Sequence, residues 1–172
     1  MKDHIHRMMR VDQAGEFGAT RIYAGQLAVM GDRGPHSGEI AAMARQEDEH
    51  HDAFNRLVAE RGVRPTALHP FWSVAGYALG AATALIGPKA AMACTAAVET
   101  EIDLHYSKQL DELKDADEDP ELQGMIEQFR EEEREHHDAA IAAGAEETPG
   151  YPLLSAAIRL GCRAAIRLSE RV

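Results

Sequence analysis

Glu47-Asp48-Glu49-His50-His51-Asp52-Ala53 recurs 86 residues later as Glu133-Arg134-Glu135-His136-His137-Asp138-Ala139. Both copies contain Glu-x-x-His. On a helix, residues three apart stand one turn apart and about 60° apart around the axis. Each copy therefore aims a carboxylate and an imidazole the same way. Two such helices facing each other present two Glu and two His to one point inside a bundle, which is half of a dinuclear metal site.

The other half repeats as well. Glu16-x6-Tyr23-x2-Gln26-Leu27 is matched by Glu99-x6-Tyr106-x2-Gln109-Leu110. Glu16 precedes Glu47 by 31 residues and Glu99 precedes Glu133 by 34, so a two-helix unit is duplicated. The candidate metal ligands are Glu16, Glu47, His50, Glu99, Glu133 and His136. Their four carboxylates balance two divalent ions, which removes the large cost of burying uncompensated charge. Mixed carboxylate and imidazole donors suit iron or manganese, whereas structural zinc more often takes Cys. Two ions about 3.5–4 Å apart can hold a small species between them. His51, His137, Glu132, Asp12 and Asp103 stand close enough in register to be alternatives. The i+3 pairs follow the known helical carboxylate motif. Tyr23 and Tyr106, two turns from Glu16 and Glu99, are placed to orient ligands or line a substrate channel. His105, beside Tyr106, reads as a redox or proton partner or as a surface residue.

The chain of 172 residues fits one domain; it is Ala-rich and only 5% aromatic, which favours helix. Its net charge of −11 argues against nucleic-acid binding. The charge is uneven: residues 1–149 hold 14 basic and 28 acidic residues, and residues 150–172 hold four Arg and one Glu. Cys94 and Cys162 belong to no Cys-x-x-Cys motif and read as reduced and buried. The polar start Met1-Lys2-Asp3-His4 does not read as a signal peptide, so the expectation is a cytoplasmic chain or one matured from a transit peptide.

Proline and glycine punctuate six expected helices, about 6–30, 38–61, 71–86, 88–116, 120–143 and 153–170. Ser37 and Asp119 are expected N-caps, with Pro88 and Pro120 in first turns. The long link of residues 62–88 supplies the single crossover that a ferritin-like bundle requires. The expected fold is all-α: one ferritin-like four-helix bundle domain over residues 1–172, with two additional membrane-facing helices.

Those two helices are unusual in composition. Residues 71–88 contain no charged side chain, and Gly76-x3-Gly80-x3-Ala84 is a small-residue stripe suited to close helix packing. Spanning is not expected, because Glu99 must join a bundle of polar helices; a helix lying in one leaflet, or a hydrophobic docking surface, fits better. In the last segment Arg159, Arg163, Arg167 and Arg171 recur every fourth residue beside Leu154, Ile158, Ala165 and Leu168. A cationic amphipathic helix of this kind can rest on anionic lipid.

Several longer stretches carry a family resemblance. They are Arg10-Val11-Asp12-Gln13-Ala14-Gly15-Glu16-Phe17-Gly18-Ala19, Ile22-Tyr23-Ala24-Gly25-Gln26 and Gln46-Glu47-x-x-His50. Further on come Ala93-Cys94-Thr95-x-Ala97-Val98-Glu99, His105-Tyr106, Phe129-Arg130-x-x-Glu133-x-x-His136-His137-Asp138 and Gly161-Cys162-Arg163-x-Ala165-Ile166-x-Leu168-Ser169-Glu170. Over nearly its whole length the chain resembles the demethoxyubiquinone hydroxylase family of ubiquinone biosynthesis. Gln13 departs from the His that many members carry.

The resemblance implies a membrane-associated monooxygenase with two Fe ions, held by the same six residues. It acts on a polyprenyl benzoquinone with O2 and two electrons, in the penultimate step of the pathway. His105 and Tyr106 match a family pair suggested to help electron or proton transfer. NADH is the implied electron source and is not tightly bound, since no Gly-x-Gly-x-x-Gly fingerprint is present. Implied partners are a membrane lipid surface and a lipid-binding protein of the pathway, with room for a homo-oligomer. The implied location is the cytoplasmic face of a bacterial inner membrane or the mitochondrial matrix face. The alternative reading is a ferritin-like iron oxidation and storage protein, which would need a polar exterior.

Overall fold

In α2 (Ser37–Glu60) the residues Ile40, Met43, Glu47, His50, Phe54 and Leu57 are buried, at alternating steps of three and four. In α5 (Pro120–Ala142) Leu122, Ile126, Phe129, Glu133, His136 and Ala140 follow the same rule. Such steps keep one stripe on the inner side of a helix. Glu-x-x-His thus occupies two stripe positions that ordinarily take hydrophobes. α1 (Lys2–Met30) buries Met9, Asp12, Glu16, Ala19, Tyr23 and Gln26 along its stripe. α4 (Pro88–Ala116) buries Met92, Thr95, Glu99, Tyr106, Gln109 and Leu113. Four helices therefore each carry a glutamate among core positions.

The computed structural model describes residues 2–116 and 119–171. Among these the remaining elements are α3 (His69–Ile86), a single 3-10 turn (Ala145–Glu147) and α6 (Tyr151–Ser169), with no strand. The fold is all-α, and two long helix pairs separated by α3 follow the ferritin-like order. The chain forms two compact units. One comprises residues up to Ala91 together with those from Ala164 onward; the other is Met92–Arg163.

In the first unit α1 and α3 cross with almost no side chain between them. A Cβ on Gly76 would lie 2.9 Å from the Gly18 carbonyl oxygen. One on Gly80 would collide with the Ile22 carbonyl, and one on Gly25 with the Tyr77 carbonyl. The Arg21 guanidinium lies over the Tyr77 ring, 5.4 Å from its centre. The small-residue stripe therefore packs α3 directly onto α1.

The turn into α2 differs from expectation. Ser37 is the first helical residue, not the cap, and it is buried. His36 takes the cap position in the left-handed region at φ 65°, without a side-chain cap bond. The Ser37 N–H donates to the Gly34 carbonyl at 3.1 Å, so a backbone turn satisfies the first orphan donor of the helix. α3 also starts before Phe71, with Pro70 in its first turn, where a missing N–H costs nothing.

In the second unit Asp119 caps α5 as expected: its Oδ1 accepts from the Leu122 N–H at 3.2 Å, and Pro120 follows. Asp119 also takes a left-handed conformation, φ 49°, which Asp tolerates better than most residues. Asp119→Ala should cost about 1 kcal/mol. Urea unfolding should show this as a lower midpoint at unchanged slope, while Asp119→Asn should stay near wild type.

Candidate metal centre

The stripe periodicity delivers three chemistry-bearing side chains to one place in the first unit. Glu16 from α1 and Glu47 and His50 from α2 each offer a ligand atom within 4.8 Å of the others. All three are at most 1% exposed. The His50 Nδ1 lies 3.6 Å from Glu16 Oε2. The second unit repeats the arrangement. Glu99 from α4 and Glu133 and His136 from α5 again come within 4.8 Å of one another, and all are buried. There His136 Nδ1 lies 3.1 Å from Glu133 Oε2. In both triads the imidazole turns the same nitrogen toward the carboxylates.

The donor set fits metal. Each triad buries two carboxylates, and burial strongly penalises a carboxylate whose charge is not balanced. One divalent ion per triad balances the charge, and oxygen with imidazole is the donor mixture suited to iron or manganese.

The residues left as alternatives are engaged elsewhere. Glu132 accepts from Gln128 at 3.0 Å on the surface. Asp103 accepts from the Arg134 guanidinium at 2.6 Å. His137 Nδ1 stands 3.1 Å from Asp138 Oδ1 at the surface. Asp12 is buried on the α1 stripe, outside the triad. His51 points into a separate polar cluster described below. Tyr23 donates through its hydroxyl to Met43 Sδ at 3.8 Å. Tyr106 is buried on the Glu99 stripe, and the half-buried His105 ring lies 6.1 Å from it, centre to centre.

Two features escape sequence reading. The first is Gln13, buried between three elements of the first unit. Its amide donates to Asn55 Oδ1 at 2.9 Å, and its carbonyl lies 2.8 Å from His69 Nε2. The Asn55 amide lies 3.2 Å from His51 Nε2, and the His69 ring stacks on Phe17 at 4.5 Å. Burial pushes the His51 pKa down against the opposing pull of Asp52 and Asp48. Burial, with His51 adding to it, pushes His69 down as well. A folded-state pKa below the ordinary 6.5 means that the unfolded chain binds more protons. The contribution is complete above that value and is lost as pH falls through the folded pKa. Metal-free wild type should therefore lose more thermal stability between about pH 7 and about pH 5.5 than His69→Gln does. Parallel melts of the two proteins check this, and equal losses would remove His69 from the account.

The second feature is Glu101, whose carboxylate binds Arg159 and Arg163. The four-residue arginine spacing is therefore not one uniform lipid-facing stripe, because two of its members turn onto an acidic partner. Cys94 is buried as expected, whereas Cys162 on α6 is only partly so; neither forms a disulfide.

Comparison with known proteins bears on this site. The sequence pattern of the family described as ubiquinone biosynthesis protein COQ7 matches residues 3–169. The chain is 55% identical over 168 residues to a 3-demethoxyubiquinol 3-hydroxylase of Rhodospirillum rubrum, covering 98% of this chain and 78% of that protein. It is 49% identical to the NADPH-dependent 3-demethoxyubiquinone 3-hydroxylase, mitochondrial, of Homo sapiens, with 98% and 78% covered. It is 42% identical to the 5-demethoxyubiquinone hydroxylase, mitochondrial, of Saccharomyces cerevisiae, with the same coverage. With duplicated Glu and Glu-x-x-His triads on its four long helices and these matches over nearly its whole length, the chain belongs to the ubiquinone biosynthesis protein COQ7 family.

Proposed function

We propose that this chain hydroxylates the ring of a demethoxyubiquinone, using O2 and two electrons, through an iron pair held by Glu16, Glu47, His50, Glu99, Glu133 and His136. The observation that carries the reading is the pair of buried triads, each built from one lone Glu and one Glu-x-x-His. The hydroxylase names of relatives at 42–55% identity supply the substrate class. Those names lend no support to iron storage.

Bound iron would supply the reduction of dioxygen. The protein's own part is to neutralise, orient and enclose. The carboxylates offset the metal charge, and the low local dielectric strengthens each of those contacts. Their positions on helices, not loops, hold the donors rigidly. Tyr23 and Tyr106 sit buried two turns along from Glu16 and Glu99 on the same stripes, where each is proposed to orient its neighbouring ligands. His105 and Tyr106 are proposed to pass electrons or protons to it.

The sequence resemblance points to NADH, whereas the Bos taurus and Homo sapiens relatives are named NADPH-dependent. Reduced nicotinamide is the donor class common to both, and an assay must supply each.

Contact with a lipid surface is part of the proposal. Phe71, Val74, Leu85 and Ile86 on α3 and Leu153 and Leu160 on α6 are all more than half exposed. Among the described residues no helix is long and apolar enough to cross a membrane, so the contact would be peripheral. A polyprenyl tail would reach the site from that surface.

The deciding experiment incubates iron-loaded protein with reduced nicotinamide, a short-tailed demethoxyubiquinone and labelled dioxygen. The expected product is a ring carrying one labelled oxygen. Quinone returned unlabelled while iron is oxidised would put the storage reading first.

A further inference from the structure

Glu101 is 4% exposed on α4, yet it accepts three charge-assisted hydrogen bonds from α6. Arg159 Nε donates to Oε1 at 2.6 Å, while Arg163 donates through Nε to Oε2 and through Nη2 to Oε1, both at 3.0 Å. The Arg163 fork is bidentate, the geometry that fixes orientation as well as charge. Burial works against the ionised form, but hydrogen bonds from Arg163 and Arg159 hold the carboxyl below its ordinary range.

The clasp lies two residues past Glu99. Residues i and i+2 on a helix point about 200° apart, so α6 grips the back of α4 through Glu101 while Glu99 faces its inner stripe. Cys162 lies between the two arginines on α6. Its thiol is pushed up to about 12, by burial first and then by the Glu99 and Glu101 carboxylates. A helix held on one side only can roll. A side-chain tip lies about 5–6 Å from the axis, so a roll of about 10° displaces it by about 1 Å. Displacements of that size loosen a metal site.

We propose that Glu101, clasped by Arg159 and Arg163, is a positioning residue for Glu99, with α6 serving as the rear anchor that fixes the rotation of α4 at the metal site. The proposal rests on the metal-centre reading above. It assigns Arg159 and Arg163 to the site and leaves only Arg167 and Arg171 of the stripe for contacts outside the chain.

The test titrates the metal-free full-length protein with cobalt(II), followed by its visible absorption, alongside alkylation of Cys162 mapped by mass spectrometry. Wild type should take up two cobalt ions per chain. Glu101→Gln, helical by circular dichroism, should bind cobalt about tenfold more weakly or worse, with an altered spectrum and faster Cys162 alkylation. Arg163→Lys keeps the charge without the fork and should fall between the two. If Glu101→Gln fails to fold, Arg163→Gln is read in the same way. A clasp variant with wild-type affinity and spectrum overturns the proposal, even if it melts earlier, because the clasp would then only fasten α6. Wild type that takes up no cobalt overturns the metal-centre reading itself, and the proposal with it.

Discussion

Glu47→Gln should abolish quinone hydroxylation, by about a thousandfold or more, and at the same time raise the melting temperature of the metal-free protein. The two effects have one origin. Glu47 is fully buried, within 4.8 Å of the ligand atoms of Glu16 and His50. Without metal, the two carboxylates of this triad repel each other in a low dielectric, and amide replacement removes the repulsion at nearly constant volume. Relief of about 2 kcal/mol corresponds to roughly 4–8 °C for a chain of this size. With metal, the same replacement removes a charged ligand. A factor of a thousand in rate requires only about 4 kcal/mol, within what a metal's charge stabilisation supplies. Iron content per chain, activity and the metal-free melting curve make a three-part measurement. Stability gained with function lost is the pattern of a site whose residues serve chemistry at the fold's expense. Activity within tenfold of wild type would remove Glu47 from the ligand set.

Gly80→Ala should be among the most destabilising single-methyl additions in the chain. The new Cβ would meet the backbone carbonyl of Ile22, which has no rotamer to escape into. α3 must then move away from α1, and every contact along their crossing loosens with it. Overpacking of this kind costs typically 1–3 kcal/mol and occasionally more. About 3 kcal/mol would lower the melting temperature by roughly 6–12 °C. Gly124→Ala on α5 is the control: no atom lies near its Cβ, and helical glycine is itself unfavourable. It should stabilise slightly, by about 0.5–1 kcal/mol. Equal melting of the two variants would mean that the α1–α3 crossing is less tight than its backbone distances require.

These cases mark what the primary structure makes legible. The Glu and Glu-x-x-His spacings stand out because each helix writes its inner face as steps of three and four, and a glutamate on such a face is conspicuous. The glycines of α3 were legible as a close-packing stripe, but not the partner they pack against. Ser37 suits a cap by residue type, yet it is the first helical residue, and the cap position falls to His36 without a side-chain bond. The arginine spacing was legible as one face of α6, but not the turning of two of its members onto Glu101.

The sequence by itself determined the all-helical class, the duplicated two-helix order and the six residues proposed to hold metal. Periodicity and composition are local properties, readable along one helix at a time. Only the tertiary structure decided that His51 meets Asn55, that Gln13 ties together three helices, and that Glu101 takes Arg159 and Arg163. Each of those outcomes depends on which side chain of another helix stands opposite. That is set by crossing angle and rotation, which no spacing within a single helix records.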